Sequence, residues 1–283
     1  MELSGTKCVA CGSTAALGAE VAAACRPRLQ LEVARRPCSL GVGLAGGRRP
    51  ASHALWKRLR AFRKRLPRFG ATRRMGVSTA RLLKTGGTAG LTYGEAAVGV
   101  SPTLLRAQRV AVAKALGDRT GGGDLDLTLA VADGSRGGTA DPAFQAHLQP
   151  IVAWARAVWE SWMPRAELLH TAAWAIRRLA TAKRPWAVVG GPAAATVASM
   201  ARLGWRFRDG LTMITQTGVE LLLTRDPPAM VAALVKEAFW RWRWARLERN
   251  VPQLRPPLGA PSLGPCWRPI ASWLLYTSPS PRD

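Results

Sequence analysis

The sequence predicts a mainly α-helical protein with a small α/β piece at its N-terminus and a second, α+β unit toward its C-terminus. Three observations carry that prediction. Apolar residues recur at helical spacing, most clearly at Leu55, Leu59, Phe62 and Leu66. Ser, Thr, Asp and Pro stand where such stretches begin, the positions at which a helix wants a cap and tolerates a missing N–H. Strand-like runs are short and fall only near the two ends of the ordered sequence.

Taken in order, residues 7–11 (KCVAC) suit a short strand, and Ser13 or Thr14 caps an Ala-rich helix running to about Ala24. Residues 29–34 alternate as a strand does, and 39–44 form a second strand or hairpin arm closed by Gly46-Gly47. Three short strands and one helix bury too little to stand alone, so 1–47 reads as the end of a larger sheet. Residues 52–66 form a narrow-striped amphipathic helix ended by Pro67. A short helix at 78–84 breaks at Gly86-Gly87, and Ser101-Pro102 opens another that runs to about Leu116, closing a basic helical unit over 48–118. Residues 119–149 read as a Gly- and Asp-rich connector, ordered only around 125–132. The Trp-rich unit 150–249 holds helices at 150–163, 164–182 and 192–203, with Trp154, Trp159, Trp162 and Trp174 in its core. Short strands follow at 205–207, 211–214 and 219–223, with Asp209-Gly210 as a tight turn. Asp226-Pro227-Pro228 caps a last helix running to about Arg249, and 250–283 reads as a disordered tail.

Charge narrows the function. Lys and Arg number 41 against 17 Asp and Glu, a net charge of +24. No acidic residue lies between Glu32 and Glu95, and positions 33–94 hold 15 Lys and Arg. Solubility is served by mixed charges. A long stretch of one sign repels itself and calls for a counter-charged partner, and the natural counterions are phosphates, of nucleic acid or of anionic lipid. With the apolar stripe of 52–66 turned inward, Lys57, Arg60 and Lys64 fall on the opposite face, and Arg63, Arg73 and Arg74 extend the basic surface. No uncharged apolar run is long enough to span a membrane, because 185–201 is interrupted by Gly190-Gly191-Pro192, so no membrane partner is expected. The opening residues lack the basic and apolar regions of a signal peptide, and five Cys do not make a disulfide framework. Both point to an intracellular chain, nuclear or cytoplasmic.

Sites of chemistry are few. Cys8, Cys11, Cys25 and Cys38 lack a second Cys-x-x-Cys knuckle and read as buried small hydrophobes, not zinc ligands. Asp124 and Asp126 would share a face on a strand, but with Asp133 and Asp141 they lie in the connector, where solvated loop carboxylates are the norm. No Tyr-x-Asp-Asp and no phosphate-binding Gly-rich loop occurs, and His53, His147 and His170 have no shared spacing. On the last helix Trp240 and Trp244 share a face while Trp242 points away. Trp242 is thus a candidate for stacking on bases, with Arg241 and Arg243 on phosphates, or else for a domain interface. The expectation is a chain with no catalytic residue, no metal ligand and no cofactor.

The order of these features resembles the C-terminal part of the reverse transcriptase of a non-LTR, LINE-like retroelement. The resemblance rests on Lys7-Cys8-Val9-Ala10 leading into a capped Ala helix and a strand, on Leu40-Gly41-Val42, and on the basic helix and Gly/Ser/Leu-rich helices that follow, with 82–105 and 182–205 similar to thumb and post-thumb sequence. It implies a palm remnant with a primer-grip hairpin over 1–47, a thumb over 48–118 and a post-thumb unit over 150–249. Lys7 would match the family's motif-D lysine, and Leu40 and Gly41 the grip hairpin. The fingers and the palm strands that hold two Mg²⁺ in the intact parent have no counterpart here. The parent would be an RNA-directed DNA polymerase. This chain would be inactive, would need the missing N-terminal part of its own polypeptide, and would hold a DNA or RNA–DNA duplex by its backbone. Two other readings stand beside it: a stand-alone basic RNA-binding scaffold, and a spurious open reading frame. Residues 274–283 (LLYTSPSPRD) resemble translated sequencing-adapter sequence, which implies a chain cut short at that end and a Met1 that need not open the parent.

Overall fold

A βαβ unit and a hairpin precede the helical part. In the computed structural model, which describes residues 8–26, 31–34, 36–39, 41–44, 51–117, 124–133 and 140–251, β1 (Val9–Ala10) pairs in parallel with β2 (Glu32–Val33). A parallel pair needs a crossover, and α1 (Ala15–Cys25) supplies it. Thr14 caps α1, its Oγ1 accepting from the Leu17 N–H at 3.1 Å. β3 (Cys38–Ser39) and β4 (Val42–Gly43) form a hairpin, so 39–44 is not a single strand or arm; Gly46-Gly47, expected to close it, lies outside the described residues. The hairpin turns at Gly41, φ +78°. That left-handed backbone favours glycine, and a Cβ there would stand 2.9 Å from Arg58 Nη2.

The first helical layer is built from α2 (His53–Lys64), α3 (Leu66–Arg74), α4 (Thr79–Leu82), α5 (Thr88–Thr92), α6 (Glu95–Val98) and α7 (Pro102–Leu116). Leu55, Leu59 and Phe62 of α2 are buried with Leu83, Leu91, Leu104 and Val112, at roughly 1.5–3 kcal/mol per side chain removed from water. Leu66 is only partly buried. Pro67 does not end the helical run. It sits in the first turn of α3, where its missing N–H costs nothing. Gly86-Gly87 does not break a helix either, because a π-helical turn, Leu83–Gly87, carries α4 into α5. Ser101 caps α7 as expected, its Oγ accepting from the Leu104 N–H.

The expected connector is a connector only in part. α8 (Leu125–Asp133) is a helix, so Asp124 and Asp126 do not share a strand face, and α9 (Pro142–Trp159) begins well before Pro150. Asp141 caps α9, its Oδ1 accepting from the Ala143 N–H at 2.9 Å. Pro150 lies inside the helix and cannot donate to the Ala146 carbonyl, which the Ser199 hydroxyl reaches at 3.4 Å.

α10 (Arg165–Ala180), α11 (Pro192–Arg202), the antiparallel meander β5 (Arg206–Phe207), β6 (Thr212–Ile214), β7 (Glu220–Leu222), and α12 (Pro228–Asn250) complete the chain. Asp209 Oδ1 accepts from the Leu211 and Thr212 N–H groups and so builds the expected turn. Asp226 does not cap α12: it accepts from the Leu222 N–H instead. Trp154 is core, crossing Phe207 edge to face. Trp159, Trp162 and Trp174 are not, at 45%, 62% and 47% exposed. α9 feeds both cores, with Ala143, Phe144 and Ala146 in the first and Ile151, Trp154 and Val158 in the second, so the two helical units share one helix.

Candidate nucleic-acid interface

The basic face is where the α2 stripe requires it to be. Lys57, Arg60, Arg63 and Lys64 are exposed opposite Leu55, Leu59 and Phe62, and Arg65, Arg68 and Arg74 extend the exposed cations onto α3. Among the described residues, no carboxylate pairs with any of these seven. Arg60 Nε makes a long contact with the Trp56 carbonyl at 3.5 Å. Arg73 is committed elsewhere, donating to the Ala115 carbonyl at 2.7 Å at the C-terminal end of α7, where a cation meets the negative end of the helix dipole. Arg58 ties α2 to the preceding hairpin, donating to the Gly41 carbonyl at 2.6 Å, with its guanidinium 5.0 Å from the Tyr93 ring centre. Lys7 and Leu40, expected from the resemblance as the motif-D-like and grip residues, lie outside the described residues.

A second cluster of charge is buried where α7, α8, α9 and α12 meet. Arg109 donates to Asp141 Oδ1 and Oδ2 at 3.0 Å through Nε and Nη2, and to Asp126 Oδ1 at 2.6 Å. Arg243 donates to Asp133 Oδ2 at 2.5 Å and Asp141 Oδ2 at 3.1 Å, and Arg246 Nε reaches Asp126 at 3.1 Å. Asp126, Asp133 and Asp141 are 1%, 3% and 0% exposed, so the expected solvated loop carboxylates are instead internal counterions. Burial alone would push the Asp141 carboxyl up, but Arg109 and Arg243 outweigh it and hold it at about 2. At Asp133 burial prevails over Arg243, and its pKa is raised. These carboxylates do not suit Mg²⁺, because guanidinium N–H groups already occupy their lone pairs.

The remaining candidates fall into structural places. Trp242 packs on Phe239, ring centres 5.8 Å apart, and on His147 at 5.0 Å, with Arg109 and Arg246 guanidinium groups over its ring. Trp242 is partly buried and packs against both cores, the place the domain-interface alternative gives it. Arg243 is buried and Arg241 pairs with Glu237, so neither is offered to phosphate. Cys11 and Cys38 are exposed and Cys8 and Cys25 half-buried, which corrects the expectation of four buried thiols. Among the described residues, no three His, Cys, Asp or Glu side chains are grouped as metal ligands. His147 is fully buried, its Nδ1 donating to the Ala143 carbonyl, and burial together with the nearby Arg202 charge lowers its pKa to about 3. No helix among the described residues is long and apolar enough to cross a membrane. No protein-family model, curated protein or solved structure matches the chain.

Proposed function

We propose that the chain holds the backbone of duplex nucleic acid, without reading its sequence, on the face formed by α2 and α3, as the duplex-gripping C-terminal part of a reverse-transcriptase-like polymerase. The observation that carries this reading is the two-sidedness of α2: a buried apolar stripe fixes the helix, and the opposite cations have no carboxylate partner among the described residues. Such contacts position a duplex and carry no base information. The β3–β4 hairpin, tied to α2 through Arg58 and Gly41, stands in the chain where the resemblance puts a primer grip. Val9, Leu17, Val21 and Val33 are exposed on the βαβ piece, which suits a sheet completed by further protein. In this reading the chain supplies position and no catalytic group.

The test is binding against salt, with duplex DNA, RNA–DNA hybrid and single-stranded RNA, each in two scrambled sequences. The expected outcome is equal affinity for scrambled sequences and a log–log salt slope of magnitude about 3 or more on the duplexes. Affinity that is flat in salt, or that follows sequence, overturns the proposal. The helical part closes two cores of its own, which favours a second reading as a stand-alone RNA-binding scaffold. Preference for single-stranded RNA over both duplexes would select that second reading.

A further inference from the structure

Between the β3–β4 hairpin, the α5–α6 segment and α9, and joined to α2 through Arg58 over the Tyr93 ring, lies a cavity of about 510 Å³. This is within the range of roughly 300–1,000 Å³ typical of small-molecule sites. Val42 and Ala97 give it apolar walls, and Lys84, Tyr93, Gln145 and Gln149 give it polar ones; among the described residues, no acidic side chain lines it.

Gln145 and Gln149 stand one turn apart on α9, and Gln149 Nε2 donates to Gln145 Oε1 at 3.4 Å. That contact uses one donor and one acceptor. It leaves the Gln145 amide N–H₂ and the Gln149 carbonyl oxygen without a protein partner among the described residues. Reversing both amides exchanges the two roles and still leaves one donor group beside one acceptor. A neighbouring donor and acceptor are what the edge of a nucleobase presents and seeks. Tyr93, half exposed, adds an aromatic ring on which a base can stack. Two cations flank the site: Lys84, its Nζ donating to the Asp133 carbonyl at 2.8 Å, and Arg58 over the Tyr93 ring. An apolar slot with an aromatic ring, an amide pair, adjoining cations and no carboxylate among the described residues matches a base joined to phosphate.

We infer that this cavity takes a single unpaired nucleobase at the end of a duplex whose backbone lies along α2. The inference rests on the reading of α2 as the backbone-binding face, and its test separates the two. The probe is 2-aminopurine, supplied as the free riboside and as the one-nucleotide overhang of a duplex, beside the blunt duplex of the same sequence. The overhang should bind about five-fold or more tighter than the blunt end, with its fluorescence quenched on binding. Tyr93→Leu, and Gln145→Leu with Gln149→Leu, should remove that gain while leaving blunt-duplex affinity and circular dichroism unchanged. Equal binding of blunt and overhanging duplexes, or a gain that survives both variants, overturns the inference. If no duplex binds, but the free riboside binds and loses affinity in both variants, the cavity stands as a base site and only the α2 reading falls. If neither duplex nor riboside binds, both fall.

Discussion

Arginine serves opposite ends in two regions of this molecule. On α2 and α3, Arg60, Arg63, Arg65, Arg68 and Arg74 face water with no carboxylate partner among the described residues. At the junction of α7, α8, α9 and α12, Arg109 and Arg243 are buried, and together with the half-exposed Arg246 they meet Asp126, Asp133 and Asp141 charge for charge. The difference lies in what a change to each region costs. A buried guanidinium without its carboxylate forfeits its solvation, whereas an exposed one loses little, because water already serves it. The junction is therefore where stability depends on charge, and α2 is where cations stand without a carboxylate among the described residues.

The largest expected effect comes from breaking the junction. Asp141→Asn keeps the side-chain shape and can still cap α9, but it leaves Arg109 and Arg243 one carboxylate short. It should cost about 3–5 kcal/mol of unfolding free energy in urea titrations. A loss below about 1 kcal/mol would mean that the junction tolerates unpaired charge, and the contrast with α2 would collapse.

The two regions were also unequally legible in the sequence. The α2 face follows from local spacing, since Leu55, Leu59 and Phe62 fix its inward side and the cations opposite are placed by helix geometry alone. The caps at Thr14 and Ser101 and the Asp209-Gly210 turn were equally local. The ion pairs of the junction join residues up to 120 positions apart, and no period or spacing encodes such pairs. One signal was present: Asp141-Pro142 repeats the cap-then-Pro order of Ser101-Pro102, and it would have started α9 before Pro150. A Pro in a first turn and a Pro buried within a helix look alike in sequence. Here the difference is the Ser199 hydroxyl, from a helix distant in the chain. Exposed Trp159, Trp162 and Trp174 were misplaced for a related reason, because apolar character is not burial and the neighbours that would cover those rings are set by tertiary packing.

A smaller effect sharpens the comparison through pH. Buried His147 lies near Arg202 and Arg109 as well as Asp141, and its folded pKa of about 3 is below the ordinary 6.5. The folded protein keeps the ring neutral while the unfolded chain takes up a proton, so stability is lost as pH falls below 6.5, with the loss levelling near 3. Between pH 7 and pH 5 this contributes a loss of about 1–2 kcal/mol. Glu95 acts in the opposite sense: burial raises its pKa well above the ordinary value, and the folded state gains stability as pH falls toward that value. The informative quantity is therefore the difference between wild type and His147→Gln, from urea titrations at each pH. That difference should shrink by the stated amount on acidification. A pH-independent difference would mean that His147 is solvated enough to be charged in the fold, and would remove it from the buried region.

The smallest expected effect on the fold is the most informative about the exposed region. Lys57, Arg60 and Lys64 project from α2 away from Leu55, Leu59 and Phe62, so replacing all three by Ala removes no core contact and no ion pair among the described residues. Ala also favours the helix slightly, and unfolding free energy should change by about 0.5 kcal/mol or less. Leu59→Ala, on the buried side of the same helix, is the control that shows the assay can register damage there: the residue is 0% exposed and its truncation should cost about 2–5 kcal/mol. Binding should respond in reverse. Each phosphate neutralised on duplex DNA contributes about 0.9 to the magnitude of the log–log salt slope, so the triple variant should lower that slope by about two to three and weaken duplex DNA and hybrid alike. Leu59→Ala, while folded, should leave the slope where it was, because it removes no charge. An unchanged slope in a folded triple variant would mean that these cations are solvated side chains that no phosphate approaches. Arg63, Arg65, Arg68 and Arg74 would then be the remaining cations on which a backbone could lie, and the binding face would have to shift toward α3 or be abandoned.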